Sequence, residues 1–127
     1  MQTVHDVRAL EIIGEIEKNP PLLEASTCAR QGDLVLKRKG DAKAKGNPTP
    51  TGGTMLIAGA HGEHRVVAES VTIDPQTGTV DLPEGGIVIH TDAPDGRHAA
   101  IRCAPGKWQF WRQQELTTDN IVAQVKD

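Results

Sequence analysis

Four of the five histidines in this 127-residue chain fall between positions 61 and 98, and they are the residues best suited to carry chemistry. Imidazole is the commonest metal ligand in proteins and titrates close to neutral pH. His61 and His64 bracket the turn-like dipeptide Gly62-Glu63. A hairpin there would bring their Cα atoms within about 7 Å of each other. The spacing therefore predicts that the two imidazoles share a metal ion.

A third ligand for such an ion would come from elsewhere in the chain, and the candidates are His90, His98 and either Glu63 or Glu69. Three protein ligands and one open position are typical of catalytic zinc, whereas two histidines with one carboxylate suit ferrous iron. We therefore predict a divalent transition metal, either zinc, iron or manganese, as the cofactor.

If the metal activated water or dioxygen, Arg65 and Arg102 could hold an anionic substrate beside it. Arg102 alternates with the apolar residues Ile101 and Cys103, so it shares the opposite face of its strand with His98. No serine-nucleophile or phosphate-binding motif occurs in the chain. The sequence leaves open whether the protein is an enzyme.

An amphipathic helix is predicted over residues 4–18, because apolar residues recur there about once per turn. Thr3 and Asp6 have the spacing of a capping box at its start, and Asn19-Pro20-Pro21 stops it. This helix should pack on a sheet face or on a second copy of the chain.

Residues 54–126 predict a β-rich core, because short apolar runs alternate with turn residues. Asp74-Pro75-Gln76-Thr77-Gly78 is a strong hairpin signal, since proline presets one turn position and glycine accepts a positive φ. We predict a mainly β fold, either a small barrel or a jelly-roll-like sandwich with one N-terminal helix, formed by residues 1–127 as a single domain.

Residues 37–53 predict a mobile basic loop rich in glycine and proline, with almost nothing to bury. Its first nine residues carry five basic side chains against the single carboxylate of Asp41. The chain as a whole has a net charge of −3, and no aromatic residue near this loop in the sequence could stack on a base. These features argue against a nucleic-acid partner.

The chain has two cysteines, lacks a signal-peptide pattern and has no apolar stretch of the roughly 20 residues that span a membrane. These observations predict a cytoplasmic protein without membrane attachment. Trp108 and Phe110 alternate onto one face of a predicted strand, and Trp111 points to the other. The alternative hypothesis is a non-catalytic interaction module without metal, in one version a homo-oligomer, that uses the N-terminal helix, the basic loop or Trp111 as its contact surface.

The C-terminal half resembles a family of small uncharacterised bacterial and phage proteins. The shared pattern is a histidine and an isoleucine, a Pro-Gly turn before an aromatic residue, and a Gln-x-Glu ending, which here are His98 to Ile101, Pro105 to Trp108 and Gln113 to Glu115. Gly32 to Val35 and His64-Arg65 resemble its upstream half. The resemblance implies a histidine-bearing β domain and brings no established activity.

A weaker likeness connects the chain to cupins, whose metal-binding strands carry histidines, a glutamate and a later Pro-x-Gly-x-x-His segment. His61, His64, Glu69 and residues 83–90 are similar to that arrangement, with different spacing in both parts. This resemblance implies a β architecture only.

Overall fold

Two five-stranded sheets and one helix make up most of the protein, as seen in a computed structural model that describes residues 3–20, 23–43, 46–58, 62–91, 99–116 and 122–124. The helix α1 spans Val4–Lys18. The strands, in chain order, are β1 (Leu23–Ala25), β2 (Cys28–Gln31), β3 (Leu34–Gly40), β4 (Thr54–Ala58), β5 (Glu63–Val67), β6 (Thr72–Asp74), β7 (Thr79–Leu82), β8 (Gly86–His90), β9 (Ile101–Cys103), β10 (Gly106–Arg112), β11 (Gln114–Leu116) and β12 (Val122–Gln124).

The first sheet has the order β1-β9-β8-β5-β4, and the second has the order β2-β3-β10-β7-β6. Strand β1 pairs with β9 in parallel, and the other pairs in these two sheets are antiparallel. Strands β11 and β12 form a separate two-stranded pair. The predicted mainly β fold with one helix is confirmed, and it is a sandwich of two sheets rather than a closed barrel.

Helix α1 has the bounds that its apolar periodicity predicts, 4–18, and a capping box begins it. The hydroxyl of Thr3 accepts from the backbone N–H of Asp6 at 3.1 Å, and the carboxylate of Asp6 accepts from the N–H of Thr3 at 2.8 Å. Ala9 and Ile12 are buried against Ile89 on the outer face of the first sheet. The helix thus covers that face.

The main core lies between the sheets and follows the alternation of the strands. Trp108 and Phe110 of β10 point into it, next to Leu34 and Leu36 of β3. Trp108 is fully buried, and its indole N–H donates to the carbonyl of Ala104 at 2.9 Å. The two inward aromatic residues thus leave the intervening positions of β10 on the outer side.

The hairpin predicted at Asp74 to Gly78 is confirmed and joins β6 to β7. The carboxylate of Asp74 accepts from the N–H of Gln76 at 3.0 Å, and Gly78 adopts a φ of 67°. A positive φ of this kind is accessible to glycine at little cost.

The predicted loop 37–53 begins too early, because Lys37 to Gly40 belong to strand β3. Strand β3 pairs with β2 on one side and β10 on the other, so the backbone there is hydrogen-bonded although the side chains are polar. Strands β1 and β2 also extend the β structure to before the predicted start of the core at residue 54. Alternation of lysines with a partly buried arginine does not identify a strand of which one partner, β10, is distant in sequence.

Among the residues that the structure describes, no helix combines the length and the apolar character that crossing a membrane requires.

Candidate functional site

His64 and His90, two of the predicted metal ligands, lie side by side in the interior of the sandwich. They are direct cross-strand partners on β5 and β8. Each lies two residues from a core valine of its own strand, Val66 or Val88, so both imidazoles point between the sheets. Their exposed fractions are 0% and 1%, and the rings stack with centroids 4.0 Å apart and planes inclined by 7°.

Both ring nitrogens of His64 face hydrogen-bond acceptors. Nδ1 lies 3.0 Å from Oε1 of Gln31, and Nε2 lies 2.9 Å from Oδ1 of Asp33. The amide of Gln31 donates to the carbonyls of Val88 and Ala99, which turns its oxygen toward the imidazole. A ring that donates from both nitrogens is protonated on both, so this geometry favours the imidazolium form of His64.

The buried carboxylate of Asp33 balances that charge. Its side chain is 2% exposed, and Oδ2 lies 3.2 Å from Nε of Arg112. A carboxylate between two cations is held in its ionised form. Two positive charges 4 Å apart would repel by about 4 kcal/mol at an effective dielectric constant of 20. The stacked pair therefore favours protonation of only one of the two imidazoles to the cationic form, that of His64 rather than that of His90.

The stacked geometry does not suit a metal ion shared by these two histidines. A metal at about 2.0–2.1 Å from a ring nitrogen lies in the plane of that ring. Nearly parallel rings with centroids 4.0 Å apart direct their lone pairs side by side rather than toward one point. In the described part of the chain, no three His, Cys, Asp or Glu residues form a group that could hold a metal. His61 and His98 lie outside the described residues, and metal binding stays a prediction.

Arg65, a predicted substrate-binding residue, lies on the other side of β5, beneath helix α1, and is 8% exposed. Its guanidinium forms ion pairs with Glu63 and, at 2.8 Å, with Asp6. Burial alone would lower the pKa of Arg65, but these two hydrogen-bonded carboxylates raise it above its usual value. The arginine therefore fastens the start of the helix to the sheet and has little surface to offer a substrate.

Arg102 and Glu69, the other two predicted site residues, line an open cavity of about 760 Å³ near the start of β8. The guanidinium of Arg102 lies 3.7 Å from the carboxylate of Glu24, and both side chains are more than half exposed. Neither His64 nor His90 lines this cavity. The structure thus places Glu69 with Arg102, away from the stacked imidazoles.

Trp111 lies on the outer face of the second sheet and is 40% exposed. It is the direct cross-strand partner of Val35, which in turn is paired with Arg30. We call this surface the Trp111 face. Its members are Cys28 and Arg30 on β2, Val35, Lys37 and Lys39 on β3, and Lys107, Gln109 and Trp111 on β10. Within the described residues, no ion pair joins any of its four cationic side chains to a carboxylate.

Sequence reasoning missed two parts of this arrangement. Gln31 and Asp33 were not recognised as partners of His64, because an aspartate after glycine is typical of a turn. The basic run that begins at Lys37 was placed in a loop without aromatic neighbours, whereas β3 pairs with the strand of Trp111. The only local signal was the alternation of Val35, Lys37 and Lys39, which places these three residues on one face if the segment is a strand.

Comparison with known proteins gives a family without an assigned function. No curated protein and no solved structure matches the chain. The family described as Domain of unknown function (DUF8820) matches residues 30–113, about two thirds of the chain, and this span includes the residues that surround His64 as well as Trp111. An uncharacterised family agrees with the resemblance predicted from the sequence. The chain therefore belongs to the DUF8820 family of domains of unknown function.

Proposed function

We propose that this protein is a non-catalytic interaction module that binds an anionic partner through the Trp111 face. The observation that carries the proposal is the exposure of Trp111 at the centre of a sheet, among cationic side chains, on a face that no described element covers. The equivalent face of the first sheet is covered by helix α1.

An exposed tryptophan in a strand is a strong feature of a contact surface. Tryptophan and arginine are enriched among the residues that contribute most to binding. Trp111 also has the partly buried side chain of Val35 beside it, so the two form an apolar patch with a rigid backbone beneath. Arg30 and Lys37 lie next to this patch on the neighbouring strands.

The interior of the protein supports a binding role over a catalytic one. A general acid or base must come within hydrogen-bonding distance of the substrate proton that it transfers. His64 and His90 are almost completely buried, and both nitrogens of His64 already face protein acceptors. Their arrangement stabilises one end of the sandwich.

Retention on a cation exchanger at pH 7.5 and low salt tests the proposal. A protein with a net charge of −3 and a pI near 5.9 has no overall reason to bind this resin, so the Trp111 face is expected to cause its retention. Lys37→Glu should elute much earlier. Lys18→Glu makes the same charge change at the exposed end of helix α1, on the other side of the sandwich, and should behave like the native protein.

Two results would overturn the proposal. The first is that the native protein passes through the resin, or that both variants lose retention equally. The second is a dimer in light scattering that Trp111→Ser converts to a monomer, because the Trp111 face would then bind a second copy of the chain rather than an anionic partner.

A further inference from the structure

We infer that the anionic partner is a single-stranded nucleic acid, with a base stacked on Trp111 and phosphates contacting the surrounding cations. This inference rests on the proposed function and specifies its partner. It depends on the juxtaposition of an exposed indole and four cationic side chains on three adjacent strands.

The cations flank the indole on the sheet surface. Arg30 lies two strands away, beyond Val35, in the same row as Trp111. Lys37 lies in the next row, opposite Gln109, and Lys107 lies one row further along β10. Rows on one face of a strand are about 7 Å apart, and neighbouring strands about 5 Å apart, so these groups lie on the β2–β3 side of the ring and along β10, at distances that a flexible polyanion can span.

The charge distribution also predicts where the bound nucleic acid crosses the sheet. Strands β2, β3 and β10 carry the four cations, whereas Asp81 on β7, the direct cross-strand partner of Lys107, and Asp74 on β6 lie on the same face toward the far edge of the sheet. A polyanion is attracted to the first three strands and repelled from the last two. The expected path therefore crosses the sheet close to Trp111 and avoids β6.

The indole favours a nucleic acid over an acidic peptide. Every base has a flat aromatic surface that can stack on a tryptophan, and sequence-independent binding of single strands combines such stacking with a cationic groove. An acidic peptide uses the charges but gains nothing comparable from the ring. A duplex keeps its bases stacked on one another, so they are not available to Trp111.

Fluorescence anisotropy with a labelled 15-nucleotide oligothymidine, at 50 and 200 mM salt, tests this inference. Trp111→Ala is expected to weaken binding roughly tenfold or more, and Trp111→Phe should recover much of the loss because a phenyl ring still stacks. Because Trp108 is fully buried, quenching of the intrinsic tryptophan fluorescence would report Trp111. Engagement of all four cations would give a logarithmic salt slope of about −3.

The controls separate the inference from the proposed function. Lys18→Glu should bind the oligonucleotide like the native protein, and circular dichroism checks that each variant is folded. Polyglutamate competing as well as the oligonucleotide, together with no effect of Trp111→Ala, would overturn the nucleic-acid inference while the proposed anionic partner stands. Equal affinity for a duplex of the same length would also overturn it. Failure of the native protein to bind the cation exchanger would remove both.

Discussion

The buried histidine pair and the Trp111 face differ in how their polar groups are satisfied. His64 is enclosed by Gln31 and Asp33 and stacks on His90, so its charge and its hydrogen bonds are met inside the protein. On the Trp111 face, the cations and the indole meet solvent. His64 and His90, which suggest chemistry in the sequence, are thus enclosed in the interior. The exposed cations and indole belong to segments whose sequence suggests a loop and a core strand.

The largest expected difference between interior and surface is in thiol reactivity. Burial raises the pKa of Cys103 to about 12, so only about one molecule in 10⁴ carries its thiolate at pH 8. Cys28 is exposed on the Trp111 face. Titration of the native protein with a maleimide should modify Cys28 at least about a thousandfold faster than Cys103.

The variant Cys28→Ser is the control for that measurement and should lose the fast phase completely. Similar rates for the two thiols in the folded protein would mean that the interior around Cys103 opens readily, and the contrast between the two regions would be wrong.

The second prediction concerns the charge balance around His64. Asp33→Asn should lower the free energy of unfolding by about 3 kcal/mol, because it leaves the buried imidazolium of His64 and the partly exposed guanidinium of Arg112 without their carboxylate. Urea denaturation at pH 7 measures this loss. Asp41→Asn is a matched control, since Asp41 forms an ion pair with Arg38 but its side chain is 98% exposed, and surface ion pairs contribute little. Equal effects of the two substitutions would contradict the buried charge balance.

The third prediction concerns stability in acid, and its expected effect is smaller than that of Asp33→Asn. Hydrogen bonds from the backbone of Thr3 and from Arg65 lower the pKa of Asp6 from 3.8 to about 2. Because the folded pKa is depressed, Asp6 stabilises the folded state above about pH 4, and this contribution is lost as the pH falls toward 2. Asp6→Asn should therefore flatten the pH dependence of unfolding in that window, as measured by urea titrations at successive pH values. An unchanged profile would contradict the role of Asp6.

The smallest expected effect is the response to metals. Because the stacked imidazoles do not direct their lone pairs to one point, adding zinc, iron or manganese should shift the melting temperature by no more than about 1 °C. Elemental analysis of protein purified without a chelating tag gives an independent measurement. A stoichiometric metal would restore the metal hypothesis, either with His64 or His90 turned away from the stack or with His61 and His98 as the ligands.

An element of the fold could be predicted where the residues that determine it lie within its own stretch of sequence. Helix α1 could be predicted with its bounds, because apolar spacing, a capping box and a proline stop all lie within its own sequence. The turn after Asp74 was predictable for the same reason. Strands β1 and β2 were missed because they are short and mostly exposed. Strand β1 is stabilised by pairing with β9, which is distant in sequence, and β2 by pairing with β3, which follows it after a turn.

The candidate sites show the same limit. Alternation correctly placed Trp108 and Phe110 on one face of their strand and Trp111 on the other. The neighbours of Trp111 depend on the pairing of β10 with β3, which no local pattern specifies. The partners of His64 likewise come from the opposite sheet. Sequence reasoning therefore predicted which face a residue occupies better than which residues it meets.

The helix has a further consequence for the dynamics of the fold. It contributes only Ala9 and Ile12 as fully buried residues, to a cluster separate from the main core, and one ion pair between Asp6 and Arg65 fastens its start. Such an element can detach as a local unfolding unit while the sandwich persists. Amide protons of α1 are then expected to exchange with solvent through this detachment, and those of β5 and β8 only through global unfolding. When the helix detaches, the outer face of the first sheet, with Ile87 and Ile89, becomes accessible for a short time.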